Sequence, residues 1–145
     1  MSSLADPPLL APVVALNIWT FVMEGWMYAT RIPAVSKYNV KVDSNDTSAQ
    51  FNAQIPPHVR WKADNYNHLL EQPTQFYAVM VVLALLGRGN AMALERKLAW
   101  GYVGLRVVHS LVQAIGNKIM VRFSVFAGSS AVLAGLTARA AMLVF

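Results

Sequence analysis

Four apolar segments dominate this sequence, and each is long enough to cross a lipid bilayer as a helix. A crossing needs roughly 20 mostly apolar residues, and the segments cover about 9–31, 58–87, 93–117 and 119–144. Of all residues, 56% are hydrophobic and 13% are charged, whereas a soluble domain carries about 25% charged residues. A soluble domain of this size would expose much of that apolar mass to water. We therefore predict an all-α integral membrane four-helix bundle, formed by a single domain over residues 1–145.

The absence of cysteine and the placement of the basic residues exclude several functions. Without cysteine, the chain has no disulfide and no thiolate nucleophile or metal ligand of its own. The net charge is +5, but the basic residues mostly flank apolar segments, which is typical of anchoring at anionic headgroups. His58, His68 and His109 lack the spacing of metal ligands. We expect neither a metal site nor a nucleic-acid partner.

The loops predict the topology. The first segment lacks a basic start and a small-residue cleavage site, so we expect a retained helix, ended by Pro33. A polar loop follows over 36–57, and Gly87 to Asn90 separates the second and third helices. Since cytoplasmic loops carry the excess of Lys and Arg, we expect a multi-pass protein with the first and third loops in the cytoplasm and both termini outside. That excess consists of Arg31, Lys37, Lys41, Arg60, Lys62, Lys118 and Arg122, against Arg88, Arg96, Lys97 and Arg139 on the other side.

A narrow polar stripe runs along the first half of the second helix. Its members are spaced by four, three and four residues, which places them on one face: Arg60, Asp64, Asn67 and Glu71. The stripe leads into an apolar stretch, which favours a polar site inside the bundle. The alternative is that this half of the helix stands in water above the membrane.

The third helix carries a second polar stripe, well inside an apolar segment. Its members are Tyr102, Arg106, His109, Gln113 and Asn117. A charge near the bilayer centre costs at least about 2.5 kcal/mol and must face protein or a wet cavity, so this stripe predicts a ligand site. The alternative is a buried structural network in which Arg106 pairs with Glu71 or Glu24.

Two further charged residues, Glu24 and Arg122, lie near the cytoplasmic ends of the first and fourth helices. Glu24 needs a cationic partner such as Arg106 or Arg122, and Arg122 has the alternative of reaching the headgroups. Two arginines and two carboxylates at one end of a bundle suit a small zwitterionic or anionic ligand, since guanidinium binds carboxylates through two hydrogen bonds.

These motifs resemble those of the MAPEG family, the membrane-associated proteins in eicosanoid and glutathione metabolism. The stretch from Arg60 to Phe76 is similar to the Arg, Asn, Glu, Pro and Phe signature on the second helix of that family. The segment from Arg106 to His109 resembles its third-helix Arg-x-x-His motif. The four-helix layout, the long first loop and the chain length agree with the resemblance, which covers residue 9 to the C-terminus.

The resemblance implies a homotrimer with glutathione bound between subunits near the cytoplasmic side. By position, it assigns ligand binding to Arg60, Asn67, Glu71, Arg106 and His109, and promotion of the thiolate to Arg122. We add Gln113 to the ligand-binding residues because it lies on the same stripe of the third helix. We therefore expect a glutathione-dependent transferase or peroxidase that acts on lipophilic electrophiles.

Two alternatives stay open. One is a non-enzymatic lipid-binding or scaffold protein of the same fold. The other is a glutathione-independent isomerase or cyclase of an apolar substrate, with Glu24, Glu71 or His109 as acid or base, because burial can bring a carboxyl pKa toward neutrality.

Overall fold

The computed structural model describes residues 7–87 and 92–145, and every regular element within them is helical. The expected break at Gly87 to Asn90 falls mostly outside the described residues. Six helices follow one another: α1 (Pro7–Lys37), α2 (Ser48–Ala53), α3 (Pro57–Glu71), α4 (Thr74–Leu86), α5 (Ala93–Ile115) and α6 (Ile119–Val144). Among the described residues, three helical spans are long and apolar enough to cross a membrane, namely Pro7–Lys37, Pro57–Leu86 and Ile119–Val144, and α5 is not one of them.

The first helix extends further than predicted. Pro33 was expected to end it, but α1 continues to Lys37. A proline removes one backbone donor, and the turn beyond it is stabilised by packing, because Ala34 is buried against Val40, Ile55 and Val59. This small cluster holds the polar loop against the end of α1. Within the loop, α2 begins at a capping box formed by Thr47 and Gln50, a helix that the sequence analysis did not predict.

The expected second helix is divided into α3 and α4 at Gln72 and Pro73. Pro73 has no N–H with which to continue the hydrogen-bond ladder. Beside it, Thr74 Oγ1 donates to the carbonyl oxygen of Glu71 at 2.8 Å. The prediction of one unbroken helix over 58–87 is therefore wrong in this detail, although the two helices together form the 30-residue apolar span.

The core lies where α1, α4, α5 and α6 meet. Helix α5 packs against α1, α3 and α6, while α1 and α6 both contact α4. The fully buried side chains include Leu16, Met23, Phe76, Met80 and Leu136. Only 17% of the apolar window of α6 is buried inside the chain, so its remaining apolar surface suits lipid or a neighbouring subunit.

Candidate functional site

Helix α5 presents its polar stripe to the interior, as predicted. Tyr102 and Arg106 are fully buried, His109 is 2% exposed and Gln113 is 6% exposed. Arg106 forms no hydrogen bond with a described residue through any of its three guanidinium nitrogens, and the same holds for His109 Nδ1 and Gln113 Oε1. Buried polar groups almost always have a partner, either protein, water or ligand. This stripe is therefore the strongest candidate for a ligand site.

Helix α3 turns its predicted stripe outward. Asp64, Asn67 and Glu71 are exposed, and Arg60 is half-buried. The buried residues of α3 are Val59, Ala63, Asn65 and Leu69. The expectation that the α3 stripe forms a polar site inside the bundle is therefore wrong for the described chain, because Val59, Ala63, Asn65 and Leu69 take the inward positions.

The carboxylates do not pair with the buried arginine. In the described parts of the chain, the one ion pair joins Arg139 to Glu95, so neither Glu71 nor Glu24 forms the expected pair with Arg106 or Arg122. Glu24 is half-buried on α1. Arg106 thus lies in the protein interior without a carboxylate partner among the residues described.

Two histidines meet at one end of the α5 stripe. The ring centroids of His68 on α3 and His109 on α5 lie 5.0 Å apart, and the Phe126 ring of α6 lies 5.6 Å from His68. The sequence analysis considered His68 only as a possible metal ligand and missed its place in the site.

The end of α5 fixes the orientation of Arg122. Asn117 adopts a left-handed backbone conformation with φ of 43°, and its N–H donates to the carbonyl oxygen of Val112 at 2.7 Å. Its side-chain oxygen Oδ1 accepts a hydrogen bond of 2.7 Å from Arg122 Nη1. Asn117 therefore terminates α5 and positions the guanidinium at the start of α6.

These groups line one cavity of about 340 Å³. Its polar lining comes from His68, His109, Gln113 and Arg122, and its apolar lining from Ile119, Phe123 and Phe126. Since Phe123 and Ile119 are exposed on α6, the cavity has one wall in contact with whatever surrounds the helix. A cationic group beside apolar walls suits an anionic atom of a ligand together with a lipophilic partner.

Tyr102, at the start of the α5 stripe, connects α5 to α3 and α4 and does not line the cavity. Its hydroxyl donates to Gln72 Oε1 at 2.6 Å, and its ring stacks on Phe76 at 4.3 Å between centroids. This hydrogen bond connects Gln72, at the α3–α4 break, to α5. This contact explains why Tyr102 belongs to the polar stripe without lining the cavity.

A second cavity, of about 450 Å³, lies under the first loop. Arg31 Nη2 donates to Asn52 Oδ1 at 2.7 Å, and its guanidinium lies over the Phe51 ring, 5.0 Å from the centroid. Asn67 lines this cavity together with Asp43 and Asp46. The sequence analysis used Arg31 only for topology, whereas the structure places it beside a residue of the α3 stripe.

The comparison with known families decides the identity of the fold. A profile of the MAPEG family matches residues 9–142, nearly the whole chain. The chain belongs to the MAPEG family. It matches no curated protein and no solved structure.

Family membership and the three apolar spans together make this MAPEG protein an integral membrane protein. The family resemblance inferred from the second-helix and third-helix motifs is thus confirmed. Their residues differ in placement: Arg106 and His109 are buried, whereas Asn67 and Glu71 are exposed.

The residues present fit glutathione as a ligand. The chain has no cysteine, so any thiol chemistry uses a thiol from outside. The Arg122 cavity offers a cation for a thiolate. His109 Nδ1 and Gln113 Oε1 are buried without a partner among the described residues and can form hydrogen bonds with a peptide. At about 340 Å³, the cavity lies at the small end of ligand pockets, which span roughly 300–1,000 Å³, so it is too small for a whole tripeptide together with a substrate.

Proposed function

We propose that this MAPEG protein is a glutathione-dependent transferase or peroxidase that acts on lipophilic electrophiles at the membrane. The observation that carries the proposal is the position of Arg122, which Asn117 holds at the edge of a cavity with polar and apolar walls. Its family membership supports the same chemistry. Glutathione supplies a thiol whose anion attacks an electrophile.

Arg122 is the proposed catalytic residue. A cysteine thiol has a pKa of about 8.5 and is mostly protonated at neutral pH, and an adjacent cation lowers that pKa. The Asn117 hydrogen bond leaves the other donors of the Arg122 guanidinium available for a thiolate. His109 and Gln113 orient the ligand, while Phe123 and Phe126 shield the anion from water and contact an apolar substrate.

The proposal includes a four-helix membrane bundle that assembles as a homotrimer with glutathione between subunits. The exposed positions of Asn67 and Glu71 support this arrangement, because they are available to a ligand shared with a neighbour. Arg60 is half-buried beside them, and Arg106 acts from the interior behind His109. We propose that the first and third loops face the cytoplasm, from which glutathione reaches both cavities.

The test compares Arg122→Gln with Lys118→Gln in purified protein reconstituted in nanodiscs. Both substitutions remove one positive charge near the start of α6, but Lys118 is exposed and does not line the cavity. Isothermal titration measures glutathione binding, ultraviolet absorbance measures the bound thiolate, and turnover of an aryl halide and a lipid hydroperoxide measures catalysis.

We expect Arg122→Gln to lower turnover about 10- to 100-fold and to reduce the thiolate signal, while Lys118→Gln changes each by less than about twofold. Wild-type protein that neither binds glutathione nor turns over either substrate would refute the proposal. Equal losses in both variants would refute the assigned role of Arg122.

A second candidate is a non-enzymatic lipid-binding or scaffold protein. The separation of exposed Glu71 from fully buried Arg106 favours it, because the two halves of the family motif do not meet within one chain. This candidate predicts that lipid, and not glutathione, co-purifies with the protein. Mass spectrometry of the native complex distinguishes the two candidates.

A further inference from the structure

The first turns of α5 carry two cations without an acidic partner among the described residues. Arg96 is half-buried and Lys97 is exposed. The adjacent carboxylate, Glu95, is turned fully inward and pairs with Arg139. Among the described residues, Arg96 and Lys97 therefore form no ion pair, because the one carboxylate beside them is paired with Arg139.

These cations line a shallow groove of about 480 Å³ together with Ala93 and Trp100. Trp100 follows Arg96 and Lys97 by four and three residues, so the three side chains share one face of the helix. Its side chain is 49% exposed. Tryptophan beside arginine and lysine at the end of an apolar helix is typical of the membrane–water interface.

An exposed stripe leads from this groove toward the other end of α5. Its members are spaced by four, three, four, three and four residues, and all are exposed: Lys97, Gly101, Gly104, Val108, Leu111 and Ile115. A Cβ placed at Gly101 or at Gly104 would meet no atom within 4 Å. The part of the stripe from Gly101 to Ile115 therefore forms an open apolar track, and Arg96 and Lys97 lie at its N-terminal end.

We propose that this face of α5, from Arg96 to Ile115, binds an anionic phospholipid. Arg96 and Lys97 bind the phosphate of the headgroup, Trp100 lies at the glycerol level, and an acyl chain lies along the two glycines. From Gly101 to Ile115 the track is about 21 Å long at 1.5 Å per residue, which exceeds the roughly 15 Å of one hydrocarbon leaflet.

This lipid site is separate from the proposed glutathione site. Arg96 and Gln113 are 17 positions apart on α5, which corresponds to about 25 Å along the helix axis. The two sites therefore lie at opposite faces of the membrane. A phospholipid fits better than a soluble anion, because a free anion would use the cations alone and leave Trp100 and the glycine track uncovered.

The test uses nanodiscs of phosphatidylcholine and phosphatidylglycerol in which the acyl chains of one lipid are brominated and quench nearby tryptophan. The contribution of Trp100 is the difference in tryptophan fluorescence between the wild-type protein and Trp100→Phe. We expect brominated phosphatidylglycerol to quench this contribution more than brominated phosphatidylcholine. Arg96→Gln/Lys97→Gln lowers the apparent affinity for phosphatidylglycerol roughly 30-fold, since each cation near a membrane surface contributes about 1 kcal/mol.

The matched control is Lys41→Gln/Lys118→Gln, which removes two exposed cations at the opposite end of the helices and leaves the Trp100 quenching unchanged. Equal quenching by both brominated lipids, or unchanged affinity in Arg96→Gln/Lys97→Gln, would overturn the proposal. So would recovery of fluorescence on adding excess inorganic phosphate, which would assign the cations to a free anion.

Gly101→Leu tests the acyl-chain track. The side chain has room and fills the track, so we expect weaker quenching with an unchanged oligomeric state by light scattering. Dissociation of an oligomer by this variant would instead make the α5 face a contact between copies of the chain and overturn the proposal.

Discussion

The ion pair between Glu95 and Arg139 gives an asymmetric prediction about stability. Glu95, at the start of α5, is fully buried, whereas the Arg139 side chain near the end of α6 is 38% exposed. The second carboxylate oxygen of Glu95, Oε2, is buried without a partner among the described residues. Removal of the arginine leaves a buried carboxylate without its counter-charge, while removal of the carboxylate leaves a cation that can reach solvent or headgroups.

Breaking a fully buried pair by removing one partner costs about 3–5 kcal/mol. Because Arg139 is partly solvated, we expect Arg139→Gln to cost less than a fully buried pair would, about 2–3 kcal/mol of unfolding free energy. We expect about 1 kcal/mol for Glu95→Gln, since a neutral amide can still accept a hydrogen bond from the guanidinium. The double variant recovers part of the loss, with a coupling of about 1–2 kcal/mol.

The assay is reversible unfolding in detergent micelles, followed by helical circular dichroism, for the two single variants and the double variant. Lys97→Gln is the matched control, because it removes a cation near Glu95 that is not in the ion pair. Equal costs for the two single variants would refute the reasoning from unequal burial. A coupling below about 0.5 kcal/mol would show that the two residues act independently.

Two further predictions concern α5. Tyr102→Phe removes the hydrogen bond to Gln72 but keeps the stacking on Phe76, so we expect a loss of about 1 kcal/mol in the same unfolding assay. The control Tyr38→Phe, at an exposed tyrosine, should change it by less than about 0.5 kcal/mol. Asn117→Gly keeps the left-handed backbone but frees the Arg122 side chain and should lower glutathione turnover several-fold with little loss of stability. Asn117→Ala adds about 1 kcal/mol of backbone strain. Unchanged turnover in both Asn117 variants would contradict the positioning role.

The inward face of α5 could be predicted because its polar residues share one side of the helix and apolar residues cover the other sides. Arg106 and His109 have no favourable exposure to lipid, so the period of the stripe and the cost of burying a charge together determine where it faces. The same reasoning failed for α3. That helix is polar on several sides, and its few apolar residues, Val59, Ala63 and Leu69, determine its orientation instead.

The break between α3 and α4 was visible in the sequence as Pro73, but a proline at this position can also sit in a kinked continuous helix. The pairing of His68 with His109 and of Glu95 with Arg139 had no local signal. Each pair joins residues more than 40 positions apart, so no helical period relates them.

The sequence by itself determined that this chain is helical and membrane-embedded and that it resembles the MAPEG family. It also determined that the third long helix buries its polar side. Those properties follow from hydrophobicity and from the 3.6-residue period, which act along each helix separately. Only the tertiary structure decided which groups share the Arg122 cavity and which way Glu71 faces, because packing between helices depends on the fit of whole surfaces.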